Sequence, residues 1–206
     1  DFFRGQSSSE YKLIPSIGRR FKEGQEDVLK QYEKEVFEDF KKTAAEQAFT
    51  VTDYSSNSLE GTVDASDNQT LFLSIPYNPL IALYFACCSN FDKDGIVYQS
   101  YQFSRRVFNE DKDDIFSFPA ITLLVPNMTD VRYKNQNGIF VLYPEPWKEK
   151  FEFIYAKYII PVQYKQNILS KLEKIGITRS FIMPSLDSLC KDIVDIHDLR
   201  YPYAIK

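Results

Sequence analysis

The chain has 206 residues, a length that fits one domain at roughly 150 residues per domain. Hydrophobic residues make up 44% of it, enough to bury a core, so disorder is excluded for most of the chain. Acidic residues (29) outnumber basic ones (25), and the net charge of −4 argues against a protein whose affinity comes from neutralising nucleic-acid phosphates.

Residue counts also disfavour metal sites and histidine-based catalysis. The chain has one histidine, His197, and its three cysteines, two of them adjacent at Cys87 and Cys88, lack the C-x-x-C spacing of zinc or redox sites. We therefore expect no metal site and a reducing compartment. Since no apolar run approaches the roughly 18 residues of a membrane span, we expect a soluble, cytoplasmic protein with no membrane partner.

An N-terminal core strand that contains Phe3 and Arg4 is predicted first, and a helix within residues 22–48 is predicted next. Leu29, Tyr32, Val36 and Phe40 recur at spacings of three and four, which places them on one face of a helix that should pack inward. The polar, turn-rich residues 50–69 that come next predict a surface loop.

Strands dominate the middle of the chain. The apolar residues 71–73 predict a buried strand, and Asn78-Pro79 predicts the start of a helix over 79–89, because Asn caps helices and Pro fits their first turn. Further strands are predicted at 96–103, 120–125, 139–143 and 151–160 from their β-branched and aromatic content and from flanking turn residues.

The C-terminal part is predicted to be helical. Ile168, Leu172 and Ile175 form a helical stripe ended by Gly176, and Ser185 is predicted to cap a last helix. The apolar stripe of that helix, Leu186, Leu189 and Ile193, is expected to be buried. The sequence therefore predicts an α+β fold: a central, twisted mixed or antiparallel sheet with N-terminal and C-terminal helices packed on it.

Three segments closely resemble, in order, the signatures of the FRG domain family. They are Phe3-Arg4-Gly5-Gln6, Leu13-Ile14-Pro15-Ser16-Ile17-Gly18-Arg19 and Asn78-Pro79-Leu80-Ile81-Ala82-Leu83-Tyr84-Phe85-Ala86. Two further matches lie at residues 136–140 and, near the C-terminus, at 176–179 with 183–187. The chain is thus identified as a member of this family, which is common in bacterial and phage proteins, and residues 1–206 are expected to form a single FRG domain.

The sequence departs from the family just before the N-P-L-x-A-L-Y-F-A helix. Typical members carry a Q-H-Y-G segment and then L-D-W-T; here the first is missing, and Leu73-Ser74-Ile75-Pro76 stands in place of the second. If the replaced residues carry chemistry in relatives, this chain has altered or lost it.

The order of motifs also resembles that of ADP-ribosyltransferases, with which the fold is expected to be shared. That resemblance implies a catalytic set of Arg4, holding a phosphate or ribose of NAD, Ser74, framing the nicotinamide pocket, and Gln136, orienting the acceptor or ribose. NAD is accordingly the expected ligand or substrate. A glutamine cannot act as a general base, so any reaction here would depend on positioning and electrostatics.

Further candidate ligand contacts each have a structural alternative. Gln6 adds a neutral amide beside Arg4, where Gly5 would let a ligand approach the backbone, whereas a buried Arg can also pair with a carboxylate or with carbonyls. Arg19 offers a second positive charge or belongs to a solvated basic pair. Tyr84 stacks on a ligand ring or packs in the core. Asn135, beside Gln136, contributes polar contacts or ordinary turn chemistry.

Two classes of function remain open from the sequence. One is an ADP-ribosyltransferase-like enzyme or NAD-consuming effector, of the kind used in toxins and phage defence. The alternative is a catalytically inactive module that senses a nucleotide such as NAD or binds a protein partner. A nucleic-acid partner is disfavoured by the net charge.

Overall fold

The computed structural model describes most of the chain, with several gaps. The described residues are 1–15, 24–25, 27–32, 34–35, 39, 72–101, 107, 120–124, 131–142, 145, 147–149 and 154–200, with side chains for all of these except 72–75, 131–133, 187 and 195–200. The predicted loop at 50–69 and the candidate residue Arg19 lie outside the described residues.

Six strands, five α-helices and one short 3-10 helix (Val162–Tyr164) have defined bounds in the described part. In chain order they are β1 (Phe2–Gln6), β2 (Phe72–Pro76), α1 (Pro79–Cys87), β3 (Gly95–Ser100), β4 (Thr122–Leu124), α2 (Val131–Gln136), β5 (Gly138–Leu142), β6 (Ile154–Ile160), α3 (Lys165–Lys174), α4 (Arg179–Ile182) and α5 (Leu186–Arg200). Each predicted strand from residue 71 onward has a counterpart, and the α+β class is confirmed.

The strands form two small antiparallel sheets. The first sheet has the order β1-β3-β6 and the second has the order β2-β5-β4. The expectation of one central sheet is therefore wrong for the described strands. The physical reason is pairing: both edges of β3 are taken by β1 and β6, and both edges of β5 by β2 and β4, so β2 has no open edge of β3 to join.

The two sheets pack face to face, and α1 covers the other side of the first sheet. The buried residues between the sheets are Phe2, Leu13, Ile96, Tyr98, Leu123, Ile139 and Val141. On the opposite face of the first sheet, Ala82, Ala86 and Cys87 of α1 pack against Val97. A third cluster joins α1 to the C-terminal helices through Ile81, Tyr84, Leu172, Ile177 and Ile182.

Helix α1 begins as its sequence predicts. The Asn78 side chain accepts a hydrogen bond from the backbone N–H of Leu80 at 2.9 Å, and Pro79 occupies the first turn, where a missing N–H costs nothing. This cap fixes where the helix meets the first sheet.

The predicted first helix is seen in part. Residues 27–32 are helical, and Leu29 is buried while Tyr32 is half-buried, as the inward face requires. Val36 and Phe40 lie outside the described residues.

The last helix, α5, is capped as predicted, but the face that it buries is not the predicted one. Ser185 accepts a hydrogen bond from the N–H of Ser188 at 3.1 Å, yet Leu186 is 78% exposed and Leu189 and Ile193 are each 47% exposed. The prediction that this stripe is buried is wrong. A polar side of α5 faces inward instead: Ser188 is buried, and Asp192 accepts the N–H of Ser180 at the start of α4 at 2.8 Å.

The three cysteines are free thiols in different surroundings, which predicts selective labelling. Burial is the main cause of a raised pKa at both Cys87, where the pKa is about 11, and Cys88. Cys190, by contrast, is exposed. A rise from 9 to about 11 lowers the thiolate fraction of Cys87 about 100-fold at pH 8, and the thiolate is the reactive form. Iodoacetamide should therefore alkylate Cys190 first and Cys87 only after unfolding.

Peptide mapping by mass spectrometry over a time course checks this order. In Cys190→Ser, rapid labelling should disappear, and urea should restore reaction at the two remaining thiols. Rapid modification of Cys87 in the native protein would contradict the packing of α1 against the first sheet.

Candidate functional site

Arg4 lies on the inner face of the first sheet. It is directly opposite Tyr98 in the β1–β3 pairing, is half-buried, and its Nε atom is buried. Burial is the main cause that raises the pKa of Tyr98; the carboxylate of Glu149 also raises it, and the guanidinium of Arg4 lowers it. Arg4, Tyr98 and Glu149 therefore lie within electrostatic reach of one another.

Gln6 lies two residues further along the same strand and on the same face. It is only 5% exposed, and its Nε2 donates to the carbonyl oxygen of Lys12 at 3.4 Å. Its Oε1 is buried and has no hydrogen-bond partner among the described residues. Gln6 thus places a buried, unpaired acceptor beside Arg4.

Glu149 also holds the backbone segment that Gln6 contacts. Its Oε1 accepts the backbone N–H of Leu13 at 2.6 Å, one residue beyond the carbonyl that Gln6 contacts. We name Arg4, Gln6, Tyr98 and Glu149 the Arg4 cluster. It combines a guanidinium, a carboxamide acceptor, a phenol and a carboxylate. The guanidinium can contact an anionic group and the carboxamide and phenol can hydrogen-bond a neutral group beside it, while the Glu149 carboxylate offsets part of the positive charge.

Gly5 allows α1 to pack directly against β1. The expectation that Gly5 would let a ligand approach the backbone is therefore wrong. A Cβ atom built on Gly5 would lie 1.7 Å from the carbonyl oxygen of Ala82, and one built on Gly95 would lie 2.2 Å from that of Ala86. The backbone of α1 therefore occupies the space beside both glycines.

The other two residues of the proposed catalytic set lie in the second sheet and next to it. Ser74 is in β2, opposite Phe140 of β5, and its side chain is outside the described part. Gln136 is buried at the end of α2, and its Nε2 donates to the carbonyl oxygen of Ile182 at 3.1 Å. Asn135 does the same for the carbonyl oxygen of Phe181 at 2.7 Å.

These two amides therefore bind the last carbonyls of α4, groups that a helix leaves without intrahelical partners. Asn135 and Gln136 therefore do more than the ordinary turn chemistry that was their structural alternative, since they join α2 to a helix 46 residues away. No sequence signal indicates this pairing, because the acceptors are backbone atoms.

Tyr84 is buried between α1 and the C-terminal helices. Burial is the main cause that raises its pKa to about 12; Cys88 and Asp192 also raise the pKa, and Arg179 lowers it, in part through a hydrogen bond to the hydroxyl. Its ring meets Phe85 edge-on, with centroids 5.8 Å apart. This is the packing alternative that the sequence offered for Tyr84.

Lys165 is a structural centre that sequence reasoning missed. Its side chain is 0% exposed, and its Nζ donates to the carbonyl oxygens of Ser7, Ser89 and Asn90 at 2.7, 2.9 and 2.9 Å. Burial lowers its pKa, while three acceptors favour the charged ammonium. The position of Lys165 was the one feature that could have indicated this role. A positive charge in the first turn of a helix interacts unfavourably with the helix dipole, so a lysine there indicates a contact with other acceptors.

The described residues offer neither a metal-binding cluster nor a membrane span. No group of three or more His, Cys, Asp or Glu residues in these segments is arranged to hold a metal ion. Within the same part of the chain, no helix combines the length and the apolar character needed to cross a membrane.

Comparison with known proteins identifies one family. The FRG domain model matches residues 1–95, which confirms the resemblance drawn from the sequence and covers its first three motifs. The matches at 136–140 and 176–187 lie outside that range, so the single domain over 1–206 stays a prediction. No curated protein matches the chain, and no solved structure does.

Proposed function

Since residues 1–95 belong to the FRG domain family, we propose that this chain is a binding module in which Arg4 and Gln6 hold an anionic nucleotide, with NAD as the first candidate. The Arg4 cluster binds the ligand, and the rest of the fold supports the cluster. In this proposal the module senses the nucleotide and transfers no group.

The observation that carries the proposal is the buried, unpaired Oε1 of Gln6 beside a half-buried guanidinium. Leaving a buried polar group unsatisfied costs about 1–3 kcal/mol, and a ligand that pairs with it removes that cost. A guanidinium offers two parallel N–H donors, which match the oxygens of a phosphate. In a chain of net charge −4, the guanidinium of Arg4 is the group of the cluster that would hold an anion.

Binding is favoured over transfer by what surrounds the other candidates. A transferase of the kind that the sequence resembles needs Gln136 to orient an acceptor or ribose. Here the Gln136 amide is buried and donates to Ile182, so using it would require breaking the contact that joins α2 to α4.

Calorimetric titration with NAD and with ADP-ribose tests the proposal. Removing a hydrogen bond to a charged group costs about 1.5–3 kcal/mol, so Arg4→Ala should weaken both affinities roughly ten- to a hundredfold. The control is Lys93→Ala: Lys93 forms a surface ion pair with Glu10 at 2.6 Å and has no part in the cluster, so its loss should leave both affinities unchanged.

Thermal melting of every variant establishes that it is folded. If Arg4→Ala does not fold, Arg4→Lys replaces it, since this variant keeps the charge and loses the two-donor geometry. Equal affinities for wild type and variant, or no binding of either ligand by folded wild type at millimolar concentration, would leave a protein-binding module as the better account. Release of nicotinamide on incubation with NAD would instead support the enzyme.

A further inference from the structure

Three exposed tyrosines lie together at one end of the first sheet. Tyr101, Tyr155 and Tyr158 have 52%, 50% and 50% of their surfaces exposed. The rings of Tyr101 and Tyr155 stack on each other, with centroids 5.8 Å apart and an interplanar angle of 21°. Exposed apolar surface that is gathered in one place, rather than scattered, commonly marks an interaction site.

Hydrogen bonds hold these side chains around one carboxylate. The Oδ2 atom of Asp1 accepts from the Tyr155 hydroxyl at 2.9 Å and from Gln99 Nε2 at 3.0 Å. The Tyr158 hydroxyl donates to Gln99 Oε1 at 2.6 Å. We name Asp1, Gln99, Tyr101, Tyr155 and Tyr158 the tyrosine patch. Because its side chains are already held in place, binding a partner would restrict little further side-chain freedom.

The tyrosine patch and the Arg4 cluster lie on opposite faces of the first sheet. Gln99 follows Tyr98 on β3, and successive side chains of a strand point to opposite faces. The β3–β6 pairing is irregular after Gln99, and Tyr155 is the residue of β6 left without an opposite partner. Such a bulge re-aims a side chain, and here it brings Tyr155 to Asp1.

The available charge of the patch is negative. Both hydrogen bonds that Asp1 accepts use Oδ2, and its Oδ1 has no hydrogen-bond partner among the described residues. Lys157, the one basic residue of β6, lies opposite Tyr98, with its ammonium 5.7 Å from the centre of that ring and therefore on the other face. The faces of aromatic rings also carry negative potential, so the patch is complementary to a cation.

We infer that the tyrosine patch binds an arginine side chain of a protein partner. The planar guanidinium stacks on the exposed side of the Tyr101–Tyr155 pair and donates to Oδ1 of Asp1, which uses both its flat face and its several N–H donors. A lysine ammonium supplies the charge without the flat face. The net charge of −4 favours the approach of a basic partner over longer distances. This interaction is separate from the proposed nucleotide site and goes beyond it.

Capped peptides of alternating glycine and arginine are the probe, titrated by calorimetry at low salt into the folded full chain. A citrulline version keeps the shape of each side chain and removes its charge, and a lysine version keeps the charge and removes the planar group. Removing a charge-assisted hydrogen bond weakens binding roughly ten- to a hundredfold, so the citrulline peptide should bind at least about tenfold more weakly. The lysine peptide should bind about threefold more weakly.

Two variants test whether the patch is the binding site. Asp1→Asn removes the charge and should weaken binding of the arginine peptide about tenfold, and Tyr155→Ala removes one ring and should weaken it about three- to tenfold. Asp27→Asn is the matched control for charge, because Asp27 is exposed within the helical residues 27–32 and its loss changes the net charge equally. Tyr164→Ala, at a tyrosine 54% exposed outside the patch, is the control for an exposed ring. Both controls should bind as wild type does.

Thermal melting establishes that each variant is folded, and Tyr155→Ala carries the test if Asp1→Asn does not fold. Equal affinities for the arginine and citrulline peptides, equal losses in Asp1→Asn and Asp27→Asn, or no binding by folded wild type at millimolar peptide would each overturn the inference. A dimer in solution that Tyr155→Ala dissociates would assign the patch to a second copy of the chain and would also overturn it.

The nucleotide site is tested separately on the same proteins. Asp1→Asn should leave the affinity for NAD unchanged, because the Arg4 cluster lies on the opposite face of the sheet. Arg4→Ala should likewise leave the affinity for the arginine peptide unchanged. Loss of NAD binding alone therefore overturns the proposed function, and loss of arginine-peptide binding alone overturns this inference.

Discussion

Lys165→Met should lower the free energy of unfolding by about 3 kcal/mol, measured by urea denaturation at pH 7. The ammonium of Lys165 is the shared donor for three backbone carbonyls, those of Ser7, Ser89 and Asn90. Methionine fills a similar volume but donates nothing, so three partly buried acceptors lose their partner at about 1 kcal/mol or more each. The affected carbonyls lie just after the end of β1 and just after the end of α1, so the ends of both elements should loosen together.

Lys171→Met is the matched control, since it makes the same substitution on the same helix at an exposed lysine in the last turn. Surface substitutions of this kind usually change stability by less than about 0.5 kcal/mol. Equal unfolding midpoints for Lys165→Met and wild type would show that water replaces the ammonium without loss, and would contradict the role assigned to Lys165.

The features of the fold that could be predicted are those whose chemistry is local. Asn78 and Pro79 are sufficient to start α1, because the cap bond joins residues two apart. Gly176, with φ +87°, ends α3 for a similarly local reason. The division into two sheets was not predictable in this way, because it depends on which distant strands occupy the two edges of β3 and of β5.

The candidate site divides along the same line. Arg4 and Gln6 were found from a four-residue motif, whereas Glu149 reaches Leu13 across 136 residues, and no periodicity or spacing reports such a contact. Gln136 was noticed as part of an amide cluster, but its acceptor is a backbone carbonyl, which every residue possesses. The exposed stripe of α5 shows the same limit. Its apolar residues share one face, as predicted, but that face points outward because the carboxylate of Asp192, on the inward side, accepts the N–H of Ser180 at the start of α4.

The largest loss of stability is expected from Gly5→Ala, which should unfold the protein or lower the free energy of unfolding by about 3 kcal/mol or more. A Cβ at this position would lie 1.7 Å from the carbonyl oxygen of Ala82 and 2.9 Å from the backbone nitrogen of Ala86. Real Cβ atoms do not approach backbone this closely, so β1 or α1 must move. Added core volume typically costs about 1–3 kcal/mol, and more where backbone has to shift. The glycine of the first motif and the backbone of the helix motif at Ala82 and Ala86 therefore form one close contact between β1 and α1.

Circular dichroism and urea denaturation of Gly5→Ala, Gly95→Ala and the double variant Gly5→Ala/Ala82→Gly test this close contact. Gly95→Ala should be destabilised for the same reason, since its Cβ would lie 2.2 Å from the carbonyl oxygen of Ala86. The double variant should be no better than Gly5→Ala alone, because the obstacle is the carbonyl of residue 82 and not its side chain. Rescue by Ala82→Gly would show that side-chain volume limits the approach, and a Gly5→Ala protein with wild-type stability would mean that α1 does not lie directly on the strand.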